Sequence, residues 1–202
     1  MSIMKKIREK AKSLPVGKPV TSKAFMSLGK RAAVDQALSR LVKEGVLSRP
    51  TRGVYLRPKR SVYVGEVSPE PIKVAEAIAS ESSHVVQVQG AEAARQMGLT
   101  TQVPIKPVFY TSGPNHRFRL GALEVALKHV SPRKLALAGR PAGVALAALW
   151  YQGKKHVNVE TIKQIEEKLA PKEFELLCSE ASSMPGWMHD VVIRYKEKLQ
   201  NA

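Results

Sequence analysis

Arg31, Gln36, Ser39, Arg40 and Lys43 recur at helical spacing within one segment, RAAVDQALSRLVKEG. Ala32, Asp35, Gln36, Ser39 and Lys43 fall opposite an apolar stripe of Val34, Ala37, Leu38, Leu41 and Val42, with Arg31 and Arg40 on the flanks. Glutamine, serine and arginine hydrogen-bond base edges, lysine and arginine hold phosphates, and short neighbours let a helix approach closely. The chemistry on offer is recognition of a polyanion. The charge distribution agrees. The 202-residue chain carries a formal net charge of +16, and residues 1–60 hold 16 Lys or Arg against only Glu9, Asp35 and Glu44. The remaining 142 residues carry 17 bases and 14 acids. Charge concentrated in a segment that also patterns as folded is a footprint for nucleic acid.

Bond-making chemistry has little to stand on. His84, His116, His129, His156 and His189 show no metal-ligand spacing, and only Glu160 lies at helical spacing from one of them, His156. The glycines of Gly139-Arg-Pro-Ala-Gly143 lack the Lys-Ser/Thr of a phosphate-cradling loop, and Ser112 and Ser131 have no nucleophile-elbow context. Glu66, Glu70, Glu76 and Glu81 read as a solvated helix face rather than a metal cluster. The sequence therefore predicts a non-enzyme with no catalytic residue, no metal and no cofactor. The single cysteine, Cys178, reads as a buried helix residue and excludes an internal disulfide framework. The basic N-terminus has no apolar run fit for a signal sequence, and the most apolar window, residues 142–151, is about half a membrane span. A cytoplasmic, non-membrane protein is expected. A basic first helix lying on a membrane surface is the weaker reading, because the bases continue through later elements that are not amphipathic.

The elements that must position these side chains form a winged helix-turn-helix over residues 1–60. Ile3, Ile7, Ala11 and Leu14 mark a first helix ended by Pro15 and Gly17. Thr21 is placed to cap a second, residues 22–28, packing Ala24, Phe25 and Leu28 inward, and Gly29 supplies the turn into the third. Gly45 stops that third helix. Two short runs around a turn of Thr51, Arg52 and Gly53 then make a hairpin, a wing with Arg52 at its tip and Arg49 and Arg57 along its strands. The candidate DNA contacts are Ser22, Lys23, Lys30, Arg31, Gln36, Ser39, Arg40, Lys43, Arg49, Thr51 and Arg52. Duplex is favoured over single strands because Phe25 and Tyr55 pattern as core, leaving no stacking platform.

Residues 58–65 read as a junction to a second domain, 66–202. It should be mixed and mainly helical with a small sheet, so that the whole chain is α+β. Helices are predicted from Pro71 to Ala79, around residues 90–97, and over 143–152, 159–169, 171–179 and 187–199. Strands are predicted over 84–88 and 104–110, with a hairpin of 117–120 and 123–127 about Gly121-Ala122.

The segment Leu28-Gly-Lys-Arg-Ala-Ala-Val-Asp-Gln-Ala-Leu-Ser-Arg-Leu41, then Gly45 and Arg52-Gly-Val-Tyr55, resembles the winged-helix start of AbiEi-type antitoxins. The resemblance continues through Gly90-Ala-Glu-Ala-Ala94, Gly98-Leu-Thr-Thr-Gln-Val-Pro104, Tyr110-Thr-Ser-Gly-Pro114 and His129-Val-Ser-Pro-Arg133, covering about residues 5 to 155. Ser112-Gly113 stands where relatives carry an Asp-Gly pair. The resemblance implies a bacterial toxin-antitoxin operon of the abortive-infection, phage-defence type. It implies a DNA-binding domain that represses the operon and a C-terminal domain needed to neutralise a nucleotidyltransferase-like toxin, with or without a stable complex. Specific repression by a module that reads few base pairs suggests two copies on repeated half-sites, by dimerisation or by cooperative adjacent binding. Two other functions stay open: a winged-helix transcription factor whose C-terminal domain senses a ligand or protein, and a nuclease acting on DNA delivered by the N-terminal domain.

Overall fold

The computed structural model describes residues 2–63, 65–180 and 183–200. The chain is α+β and separates into two compact units: Met1–His84 with Arg117–Ala126, and Val85–His116 with Leu127–Ala202.

In the first unit, α1 (Ile3–Ser13) begins at Ser2, whose hydroxyl accepts from the Lys5 amide, and buries Ile7 and Ala11. A short strand β1 (Val20–Thr21) leads into residues Ser22–Leu28. These form a 3-10 helix rather than the expected α-helix, and the Thr21 side chain makes no cap. Seven residues ending at Gly29 are held by tertiary contacts instead. Phe25 is fully buried, and the Ser22 amide donates to the Gly53 carbonyl at 3.0 Å. Helix α2 (Arg31–Lys43) follows, and Gly45, at φ +70°, turns the chain so that the Val46 and Leu47 amides cap the Leu41 carbonyl.

The hairpin of β2 (Ser48–Thr51) and β3 (Val54–Leu56) pairs Thr51 with Val54. Thr51 therefore belongs to the ladder, and the turn is Arg52-Gly53 alone, with Gly53 at φ +81°. Sheet order is β1-β3-β2. Pro50 can sit in β2 because that strand is an edge and needs no donor on its outer side. The expected junction at 58–65 is instead a second hairpin of β4 (Lys59–Ser61) and β5 (Gly65–Val67), with Lys59↔Val67, Arg60↔Glu66 and Ser61↔Gly65 in register. Glu66 thus lies on a strand, not on the helix face proposed for it. Helix α3 (Pro71–Ser80) packs against β1 and β3. Contacts accordingly continue past residue 66, and the compact first unit extends beyond the 1–60 module.

The second unit is built around α5 (Pro141–Gln152), whose Ala142, Gly143, Ala145, Leu146, Ala147, Ala148 and Leu149 are all buried. A helix apolar all round belongs in a core. Helix α4 (Gly90–Gln96) crosses it closely because Gly90 has no side chain: a Cβ there would lie 2.5 Å from that of Tyr151. Strands β6 (Val86–Val88) and β7 (Val108–Thr111) pair antiparallel, whereas β8 (His116–Leu120) lies almost wholly in the Arg117–Ala126 segment of the first unit and β9 (Leu123–His129) begins in that segment. β7 starts later than the sequence suggests, since Pro104 and Pro107 interrupt the run before it.

Three helices complete this unit: α6 (Val159–Lys168), α7 (Pro171–Ser179) and α8 (Gly186–Gln200). Asn158 and Thr161 form a capping box at the start of α6. Glu173 caps α5: its Oε1 accepts from Arg140 Nη2 at 2.6 Å and its Oε2 from the Ala142 amide at 3.0 Å. Those donors hold the carboxyl below its ordinary value. Tyr195 donates to Glu166, and burial together with that carboxylate pushes the phenol up to about 12. Cys178 is buried as expected, and desolvation raises its thiol.

Candidate nucleic-acid interface

The position of α2 is fixed from beneath. Val34, Ala37, Leu38 and Leu41 join Ile7, Ala11, Phe25, Leu47 and Tyr55 in one core cluster. At 3.6 residues per turn, anchoring these positions forces Ala32, Gln36, Ser39, Arg40 and Lys43 outward, and all five are exposed. Phe25 and Tyr55 are core, as their pattern predicts.

The charges on this face are not compensated internally. Of the three acids in residues 1–60, Glu44 pairs with Arg8 at 2.6 Å and Asp35 with Arg31 at 2.9 Å. Among the described residues, Lys30, Arg40, Lys43 and Arg52 make no ion pair, and Gln36 and Ser39 no side-chain hydrogen bond. Arg31 is the exception on α2, and its side chain remains 73% exposed. It can exchange that surface pair for a phosphate at small cost. On the β2–β3 hairpin, Arg52 is exposed in the turn, and Arg49 lies over the Tyr55 ring with its Cζ 5.7 Å from the centroid. That stacking directs the guanidinium without neutralising it.

Four expected contacts are placed differently from the α2 face. Lys23 Nζ donates to the Glu81 carbonyl at 2.8 Å, capping the end of α3. A lysine at a helix C-terminus satisfies a carbonyl that has no amide partner and meets the negative end of the dipole. Ser22 is half-buried, and its amide donates to the Gly53 carbonyl in the β2–β3 turn. Thr51 is half-buried in the β2–β3 ladder. Arg57, expected beside the wing, sends Nη1 to the Lys12 carbonyl at 3.0 Å and caps α1. The structure thus leaves Lys30, Arg31, Gln36, Ser39, Arg40 and Lys43 along α2 and Arg49 and Arg52 on the hairpin as surface groups.

The sequence reading missed the β4–β5 hairpin. Val62 and Tyr63 at its tip are each 93% exposed, and Lys59 and Arg60 are exposed on its first strand. The signal was present in Ser61-Val-Tyr-Val-Gly65, a β-prone run ending in a glycine that takes φ +70°. Among the described residues no group of three or more His, Cys, Asp and Glu side chains could hold a metal ion, and no helix is long and apolar enough to cross a membrane.

A model for a family of unknown function, DUF6088, matches residues 6–177. Comparison with curated proteins gave no match. Among solved structures, the crystal structure of the RV2827C protein from Mycobacterium tuberculosis is similar at 18% identity and a TM-score of 0.45, covering 94% of this chain and 77% of that one.

Proposed function

This chain belongs to the DUF6088 family, whose function is unknown, and from that premise we propose that it is a duplex-DNA-binding antitoxin that represses its own operon. The observation carrying the DNA half is the exposed face of α2, where Lys30, Arg40 and Lys43 make no ion pair and Gln36 and Ser39 no side-chain hydrogen bond among the described residues, together with the exposed, unpaired Arg52 in the β2–β3 turn. We read α1, the 3-10 turn, α2 and β2–β3 as a winged helix-turn-helix, with α2 in the major groove and Arg52 beside the backbone or in the minor groove. Gln36 and Arg40 are assigned to base edges, and Arg31, Lys43 and Arg49 to phosphates.

The antitoxin half rests on the resemblance of residues 5 to 155 to AbiEi-type antitoxins, with a nucleotidyltransferase-like toxin as functional partner. Binding of the full-length chain to duplex DNA, followed by fluorescence anisotropy, tests the first half. With six or so phosphate contacts, affinity should fall on the order of a thousand-fold between about 50 and 200 mM salt. A flat salt response would sink it. Survival of cells in which the product of the adjacent open reading frame is induced tests the second half. Failure of this chain to protect them, when supplied in trans, removes the antitoxin assignment and leaves a DNA-binding regulator.

A further inference from the structure

The β4–β5 hairpin presents a surface that the winged-helix reading does not use. Val62 and Tyr63 project at its tip, each 93% exposed. An isolated two-stranded hairpin is marginal in water, so its geometry must come from its root. The root packs against the DNA-reading module at two places. A Cβ at Gly17 would lie 3.8 Å from Lys59 Cβ, and one at Gly45, just past the end of α2, would lie 3.5 Å from Arg60 Nη2. The Arg60 guanidinium therefore sits beside the carbonyl end of the helix assigned to the major groove.

Keeping a tyrosine and a valine in water forgoes their burial free energy, which only an apolar contact recovers. The chemistry of the flanks narrows that contact. Lys59 and Arg60 are exposed and make no ion pair among the described residues, while Glu66, the cross-strand neighbour of Arg60, offsets part of their charge. A partner that offers apolar faces bordered by regularly spaced anions is a nucleic acid, with stacked bases between phosphates. We propose that this hairpin is a further contact with duplex DNA, Tyr63 and Val62 wedging against a base step while Lys59 and Arg60 hold flanking phosphates. The proposal rests on the duplex-DNA reading given above.

The test uses the full-length chain and a short mixed-sequence duplex containing flexible T-A steps. Tyr63→Ala should weaken binding about tenfold with the salt slope unchanged, because stacking releases no counterions. Tyr63→Phe should restore wild-type affinity, and Val62→Ser should show a smaller loss. Lys59→Gln should lower the salt slope by about 1. Wild-type binding with a steep salt slope, but no change in Tyr63→Ala, overturns the hairpin proposal alone. No binding by the wild type overturns the duplex-DNA reading itself. Sedimentation without DNA covers the competing occupant: a dimer that Tyr63→Ala converts to monomer would assign the tip to a second copy of the chain and overturn the proposal. The Tyr63 and Val62 substitutions lie at a solvent-exposed tip and Lys59→Gln at an exposed strand position, and far-ultraviolet circular dichroism verifies that the variants are folded.

Discussion

The two compact units differ in charge balance: both hold internal ion pairs, but only the first carries a large surplus of bases beyond them. In the first, 19 Lys and Arg face 8 acids, and the excess is spread over α1, the exposed face of α2 and two hairpins. In the second, 14 bases face 9 acids, and several of these are spent on internal fastenings: Glu92 with Arg95, Glu173 with Arg140 and the Ala142 amide, Tyr195 with Glu166. The groups whose proton affinities are displaced, Glu92, Arg95, Glu173, Cys178 and Tyr195, all belong to the second unit. Charge tied to a neighbour serves the fold, whereas charge without an internal neighbour awaits an external one. On the proposed reading, that surplus is what a nucleic acid would meet.

The largest test of that contrast is the combined change of Arg31, Arg40 and Arg52 to Ala. It should lower the salt slope of duplex binding by about 2, for the backbone-facing Arg31 and Arg52, and abolish repression of a reporter fused to the operon's promoter. All three side chains are exposed, so thermal stability should barely move. If neutralisation does not depend on DNA, this variant, supplied from an independent promoter, still protects cells from the adjacent toxin. Loss of protection in the folded variant would break the division of labour between the units.

Gly143→Ala strikes the opposite unit. Its Cβ would come within 2.1 Å of the Leu137 carbonyl oxygen and 2.6 Å of Gln87 Nε2, backbone and buried side chain that have little room to yield. Overpacking of this kind costs about 1–3 kcal/mol. Calorimetry should show that loss while duplex affinity at low temperature persists. Equal loss of DNA affinity would show that the units are not energetically separate.

Gln36→Ala sharpens the first unit internally. It should cost about 1–3 kcal/mol on the operator and little on random duplex, since an amide that reads a base edge contributes only where that base is present. Equal losses on both DNAs would move Gln36 from reading to holding.

The smallest expected effect is a pH dependence in the second unit. The Glu173 carboxyl is held below its ordinary value of 4.5 by Arg140 and the Ala142 amide. A group depressed in the folded state contributes stability above its unfolded value and loses it as pH falls through the folded one. The stability gap between wild type and Glu173→Gln should therefore be constant near neutrality and close below about pH 4.5. A gap that persists into acid would assign the difference to packing.

Much of this architecture was legible in local pattern. The stripe Val34, Ala37, Leu38, Leu41 is buried as its period requires, and Gly45 ends the helix through a positive φ that side chains resist. The helices of the second unit follow apolar spacing and their prolines: Pro71, Pro141 and Pro171 each open a helix. The β2–β3 hairpin was legible because Arg52-Gly53 is a turn signal between two β-prone runs. The β4–β5 hairpin was obscured by Pro58 and by the small residues around it, which read as a linker.

By itself, then, the sequence determined where helices run, which face of α2 is apolar and where the positive charge lies, because periodicity and charge are properties of neighbouring residues. The tertiary structure decided which of the exposed bases are tied to helix ends. Lys23 reaches the Glu81 carbonyl 58 positions away, and Arg57 the Lys12 carbonyl 45 positions away. It also placed the Gly53 carbonyl of the β2–β3 turn against the first amide of the 3-10 helix of residues 22–28. Partners so distant in the chain leave no trace in local spacing. They are selected by which orphaned helix carbonyls the fold brings within reach, and that is settled only once the helices have packed.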